Sequence, residues 1–100
     1  MISVQLLSVP GCEACVTLRK SLDKLEREQP DLTVEEIDVS VRREVAVRYG
    51  LMACPAVVID GSLEAVGAVG QRKLRKMVDR RREALASALP DRATLRAGSN

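Results

Sequence analysis

The chain has no tryptophan, phenylalanine or histidine, and Tyr49 is its only aromatic residue. A core without large rings must be filled by aliphatic side chains, here mainly valine and leucine. The same shortage removes the stacking platforms on which single-stranded nucleic acids are held, so nucleic acid is not an expected partner. Without histidine, the three cysteines fall one ligand short of a tetrahedral zinc site. They are also too few and too unevenly placed to staple a secreted scaffold. No apolar run approaches the roughly 20 residues of a membrane span. No basic segment precedes the first apolar run, which Gln5 and Ser8 interrupt, so no signal peptide is expected. These absences predict a small cytoplasmic protein that stays off membranes. Its net charge of +2 by itself implies no acidic partner.

What is present centres on Pro10-Gly11-Cys12-Glu13-Ala14-Cys15. The segment joins an apolar run to a helical pattern, so both thiols fall at a strand-to-helix turn. Residues i and i+3 in a first helical turn share a face. That spacing suits the roughly 4.4–6.8 Å between Cα atoms that a disulfide needs. A helix N-terminus carries free N–H groups and positive partial charge. Both favour a thiolate, so Cys12 is expected to be the more acidic and reactive sulfur, with Cys15 shielded at the start of the apolar stripe. Cys-x-x-Cys in this context reads as a thiol–disulfide redox motif. Half of a zinc site is the alternative.

Taken in order, Ile2 to Val9 predicts a strand apolar enough to be central and covered on both faces. Cys15, Leu18, Leu22 and Leu25 form the buried stripe of a helix that ends at Pro30. Thr33 to Val39 reads as an edge strand, with Glu35, Glu36 and Asp38 discouraging further pairing. A helix over Val41–Tyr49 is expected to be capped by Ser40. It should bury Val41, Val45 and Tyr49 and end at Gly50. Ala56 to Ile59 is a buried strand, Asp60-Gly61 a tight turn, and Leu63 to Val66 the return strand. A last helix starts near Gln71, buries Leu74, Met77, Val78 and Leu85, and stops at Pro90. Residues 90–100 hold little apolar content and are expected to be disordered, which leaves one domain over 1–89. The order is βαβαββα: an α/β fold with a four-stranded mixed sheet and helices on both faces.

Cys54-Pro55 stands at the head of the strand that begins at Ala56. Proline suits a strand's first residue, and an X-Pro bond is open to the cis isomer. Two segments together resemble the thioredoxin-like superfamily. One is Cys12-Glu13-Ala14-Cys15. The other is Tyr49-Gly50-Leu51-Met52-Ala53-Cys54-Pro55, continuing into Ala56-Val57-Val58-Ile59-Asp60-Gly61. Thioredoxins carry Tyr-Gly-Ile-x-x-x-Pro at the same spacing, with the proline cis. The run from Pro55 to Gly61 looks most like the small glutaredoxin-like thioredoxins of bacteria and archaea. The likeness extends over about residues 1–85.

The resemblance implies a dithiol–disulfide oxidoreductase. Cys12 would attack a disulfide and Cys15 would resolve the mixed disulfide. Gly11, Glu13, Ala14, Cys54 and Pro55 would line the substrate groove, where an extended segment pairs beside Pro55. The implied partners are a protein or small-molecule disulfide and a reductant, either a reductase or a low-molecular-weight thiol. The protein is expected to be a monomer. The exchange chemistry needs no metal or organic cofactor.

The departures from the family are specific. Trp-Cys-Gly-Pro-Cys of thioredoxins and Cys-Pro-Tyr-Cys of glutaredoxins are absent. Leu6 stands where thioredoxins carry a buried acid. Val66-Gly67-Ala68-Val69-Gly70 only echoes the glutathione-binding Gly-Gly of glutaredoxins. Glu13 is either a routine first-turn acid or a carboxylate that opposes the Cys12 thiolate. Cys54 has three readings: a packed apolar residue, a third redox partner, or a soft-metal or iron–sulfur ligand with Cys12 and Cys15. The last helix carries Arg72, Lys73, Arg75, Lys76, Arg80, Arg81 and Arg82 against Asp79 and Glu83. It is either a solvated face or a guide for an acidic protein.

Overall fold

The computed structural model describes residues 1–87. The elements are β1 (Ile2–Ser8), α1 (Glu13–Glu28), β2 (Leu32–Asp38), α2 (Arg43–Arg48), β3 (Ala56–Ile59), β4 (Ser62–Val66) and α3 (Gln71–Ser87). One sheet runs in the order β2-β1-β3-β4. β1 and β2 are parallel, from Ile2 opposite Leu32 to Ser8 opposite Asp38. β1/β3 and β3/β4 are antiparallel. The expected stop at Pro90 and the expected disorder of 90–100 lie outside the described residues.

Successive strand residues face opposite sides of a sheet, and the core divides accordingly. On one side Ile2, Val4 and Leu6 of β1 pack with Leu18, Leu22, Leu25, Leu74, Met77 and Val78 from α1 and α3. On the other, Leu7, Ala56 and Val58 pack with Ile37, Val39 and Val45 under α2. The second layer is short. It covers β1 at Leu7 but leaves Ser3 exposed and Gln5 half-buried. The expected two-sided burial of β1 therefore holds only towards its C-terminal end.

Three local expectations differ from the structure. Ser40 does not cap α2. Its N–H and hydroxyl both bond to the Asp38 carboxylate, at 2.9 and 2.6 Å, and close a tight side-chain turn. Those contacts, the hydroxyl first, hold the Asp38 carboxyl below its usual range. The helix then starts two residues late, Arg42 at its N-cap supplies no side-chain bond, and Val41 is left 76% exposed. At the other end of the described residues, Leu85 is also exposed rather than buried, and the buried stripe of α3 stops at Val78.

The hairpin turn is as expected, with Asp60 at φ 47° and Gly61 at φ 83°, both in the left-handed region such a turn demands. Asp60 also anchors the sheet. It exchanges backbone and side-chain bonds with Ser3, at 2.8 and 2.9 Å, and its carboxylate accepts from Arg81 of α3 at 2.7 Å. Partial burial pushes the Asp60 carboxyl up, but the Arg81 and Ser3 donors outweigh it and leave the group below its ordinary value.

Candidate redox site

β1 ends at Ser8, and Gly11 turns the chain with φ 78°. Cys12 follows as the N-cap of α1, in extended conformation. Its Sγ accepts the Cys15 backbone N–H at 3.0 Å. A sulfur thus does what a serine or aspartate oxygen does at most N-caps. Cys12 and Cys15 are joined as a disulfide with Cα atoms 5.2 Å apart. Cys12 is half-buried and Cys15 is 2% exposed. The first stands at the surface and the second at the head of the stripe continued by Leu18, Leu22 and Leu25.

A cavity of about 360 Å³ opens beside the pair, lined by Val9, Pro10, Gly11, Cys12, Glu13, Cys15, Val16 and Glu36. Glu13 opens α1 as its only first-turn acid, and Ala14 is half-buried beside it. Glu36 was not anticipated. It sits opposite Leu6 in the β1/β2 register. Its carboxylate accepts from the buried Ser8 hydroxyl at 2.7 Å and from Arg19 at 3.4 Å. Only strand register brings it to the cavity, and register cannot be read from an edge strand of imperfect period.

The Cys54-Pro55 bond is cis. Pro55 is fully buried, and its carbonyl accepts the Gly67 N–H at 2.7 Å. The loop after β4 is thereby fastened to the proline. Cys54 is a free, half-buried thiol. It packs at the edge of the α2-side core. It lines a second cavity, of about 250 Å³, with Val9, Val39, Ala46, Leu51, Met52 and Ala53. Val9 belongs to both cavities, and Cys54 does not line the one that holds the redox pair. Burial pushes the Cys54 thiol up, and the negative charge of Asp38 adds to the shift. Among the described residues no group of three or more Cys, Asp or Glu side chains is placed to hold a metal ion. The three-thiol metal site considered from sequence therefore has no support in the geometry. No helix among these residues is long and apolar enough to cross a membrane.

A mixed four-stranded sheet that carries an N-cap Cys-x-x-Cys disulfide after β1 and a cis proline at the head of β3 defines a thiol–disulfide oxidoreductase of thioredoxin fold. Comparison with known proteins agrees. A thioredoxin domain family model matches residues 2–79, and the chain belongs to that family. A probable thioredoxin of Methanothermobacter marburgensis is 37% identical over 75 residues, covering 74% of this chain and 88% of its own. A thioredoxin of Methanocaldococcus jannaschii is 31% identical over 81 residues, covering 80% and 95%. Among solved structures, Fasciola hepatica thioredoxin superposes with a TM-score of 0.68 at 26% identity, over 79% of each chain. A mutant thioredoxin from Halobacterium salinarum gives 0.69 at 23% identity, over 78% of this chain and 72% of that one, and supports the fold alone.

Proposed function

We propose that Cys12 is the attacking thiol, that Cys15 resolves, and that the usual substrate is a protein disulfide. In the reduced protein, the Cys12 thiolate attacks one substrate sulfur. The substrate S–S bond breaks and its other sulfur leaves as a thiolate. The Cys15 thiolate then attacks Cys12 Sγ. That step expels the second substrate thiolate and closes the Cys12–Cys15 disulfide. Two electrons pass to the substrate, and a separate dithiol reductant restores the pair. A reducing cytoplasm is the compartment in which such a pair cycles rather than staying closed.

The observation that carries the assignment is the position of Cys12. It is the half-exposed member, it caps α1, and it accepts an N–H bond that stabilises an anionic sulfur. Cys15 is buried behind it. On this reading the substrate segment would run along Ala53, Cys54 and Pro55, as a strand added beside the proline. Exposed Met52 and Ala53 leave that approach open. Gly11 and Glu13, which line the redox cavity, would form the other side of that approach with Ala14.

The test is trapping combined with turnover. Cys15→Ser is expected to accumulate a mixed disulfide with the substrate on Cys12. Cys12→Ser is expected to lose insulin reduction and to trap nothing. Retained reduction in Cys12→Ser, or trapping through Cys54 in Cys15→Ser, would overturn the assignment.

A further inference from the structure

α3 carries seven cations and two carboxylates, and the structure sorts the cations by direction. Three are neutralised inward. Arg75 bonds Glu28 of α1 at 2.6 Å, Arg81 bonds Asp60 at 2.7 Å, and Arg82 bonds Asp31 and Asp79 at 2.9 Å. The other four, Arg72, Lys73, Lys76 and Arg80, are exposed and have no ion pair among the described residues. Arg72, Lys76 and Arg80 follow one another at i, i+4 and i+8. They stack on one helical stripe about 12 Å long.

This stripe runs against helix stability twice. Like charges four residues apart repel. Arg72 and Lys73 also fall in the first turn, which holds no acid and where the helix dipole disfavours cations. Among the described residues no carboxylate is in ion-pair contact with it, and Asp79, three residues on from Lys76, is engaged by Arg82. Glu83 is exposed towards the end of the helix, and Glu64 of β4 shares a cavity of about 230 Å³ with Arg80 without bonding it.

The position of the stripe joins it to the redox site. Gly67 N–H bonds the Pro55 carbonyl, and α3 begins four residues on, at Gln71, whose side chain donates to the Ser21 carbonyl of α1 at 3.2 Å. The cations therefore start on the cis-proline side and run away from it. We propose that the Arg72–Lys76–Arg80 stripe, with Lys73, docks an acidic surface of the protein that exchanges a disulfide with Cys12. This rests on the oxidoreductase reading above. It names the partner as protein because a redox partner must bring sulfur, which neither nucleic acid nor a lipid headgroup carries. The stripe also lacks stacking residues.

The experiment uses the reduced full chain in single turnover with two matched synthetic disulfide peptides. One has about four glutamates beside its cysteines and the other has glutamines in their place. At about 20 mM salt the acidic peptide is expected to react at least about tenfold faster. At about 300 mM the advantage should fall below about twofold, since the screening length shrinks to a few ångströms. In the triple variant R72E/K76E/R80E the low-salt preference should invert, while the glutamine peptide keeps its wild-type rate. Equal rates for the two peptides with wild type at low salt would overturn the proposal, as would an unchanged preference in the variant. If neither peptide is reduced, the oxidoreductase reading has failed. The stripe is then decided by anisotropy of the labelled acidic peptide. Binding by wild type and not by the variant supports it, and no binding by wild type overturns it. A short DNA duplex bound more tightly than the acidic peptide at about 150 mM salt would give the stripe to nucleic acid instead.

Discussion

The two faces of the sheet are built to different standards. The α1/α3 face buries twelve residues in one cluster, fed by helices of 16 and 17 residues. The α2 face buries six, under a helix of six residues whose N-cap makes no side-chain bond. The first face carries Cys15, buried at the head of the α1 stripe. The second holds Cys54, adjoins a surface cavity, and leaves Val41, Val47 and Met52 at 76%, 80% and 95% exposure. The contrast teaches where the molecule can yield: the pair is seated at the head of the heavily packed α1, and the light face is the one with room to give.

The sharpest way to break this comparison is to open a hole on each side. Leu22, fully buried between α1 and the sheet, should cost about 3–5 kcal/mol of stability as Leu22→Ala. Urea unfolding of the oxidised protein measures it. Val45→Ala on the α2 face should cost about 1–2 kcal/mol, because fewer neighbours are lost and α2 can settle. Equal losses would erase the distinction. Amide exchange should likewise be faster in α2 than in α1.

A smaller effect is expected at the hairpin corner. Asp60→Asn keeps the left-handed turn but removes the charge that Arg81 and Ser3 engage. It should cost about 1 kcal/mol at neutral pH. The sign of its pH dependence is fixed. The folded Asp60 carboxyl lies below its unfolded value, so its contribution is present above that value and fades as pH falls through the folded one. The wild type and Asp60→Asn should therefore converge in acid. Divergence there would contradict the assignment.

The smallest effect is at Cys54. Its thiol is held up by burial and by Asp38, so it stays protonated at neutral pH and should alkylate more slowly than a thiol of the unfolded chain. Cys54→Ala should change stability by less than about 1 kcal/mol and leave insulin reduction intact. Peptide mapping of the oxidised protein should return the Cys12–Cys15 bond, with Cys54 free.

Much of this was legible in the residues. Strong periodicity marked α1 through Leu18, Leu22 and Leu25. Asp60-Gly61 placed the hairpin, whereas Cys54-Pro55 marked only a bond open to the cis isomer, which the structure then shows. The redox pair followed from spacing and position. What was not legible depended on competition or on register. Asp38 took Ser40 from its capping role, a choice between two local hydrogen bonds that the sequence offers equally. Glu36 reached the redox cavity through the β1/β2 pairing. Cys54 lines a cavity of its own with Val9, Val39 and the loop residues Leu51, Met52 and Ala53, a grouping that only the folded chain brings together.

The capping role of Cys12 has one more consequence. The atom proposed to attack the substrate is also the atom that caps the helix, so secondary structure and electron transfer would share one sulfur. When that sulfur passes from anion to a bond with substrate, the terminal N–H keeps its partner but loses the charge it favoured. Whatever free energy the helix gains from the anion must reappear as resistance to oxidation. Helix start and reduction potential are thus two readings of one equilibrium, and a change in either is felt in the other.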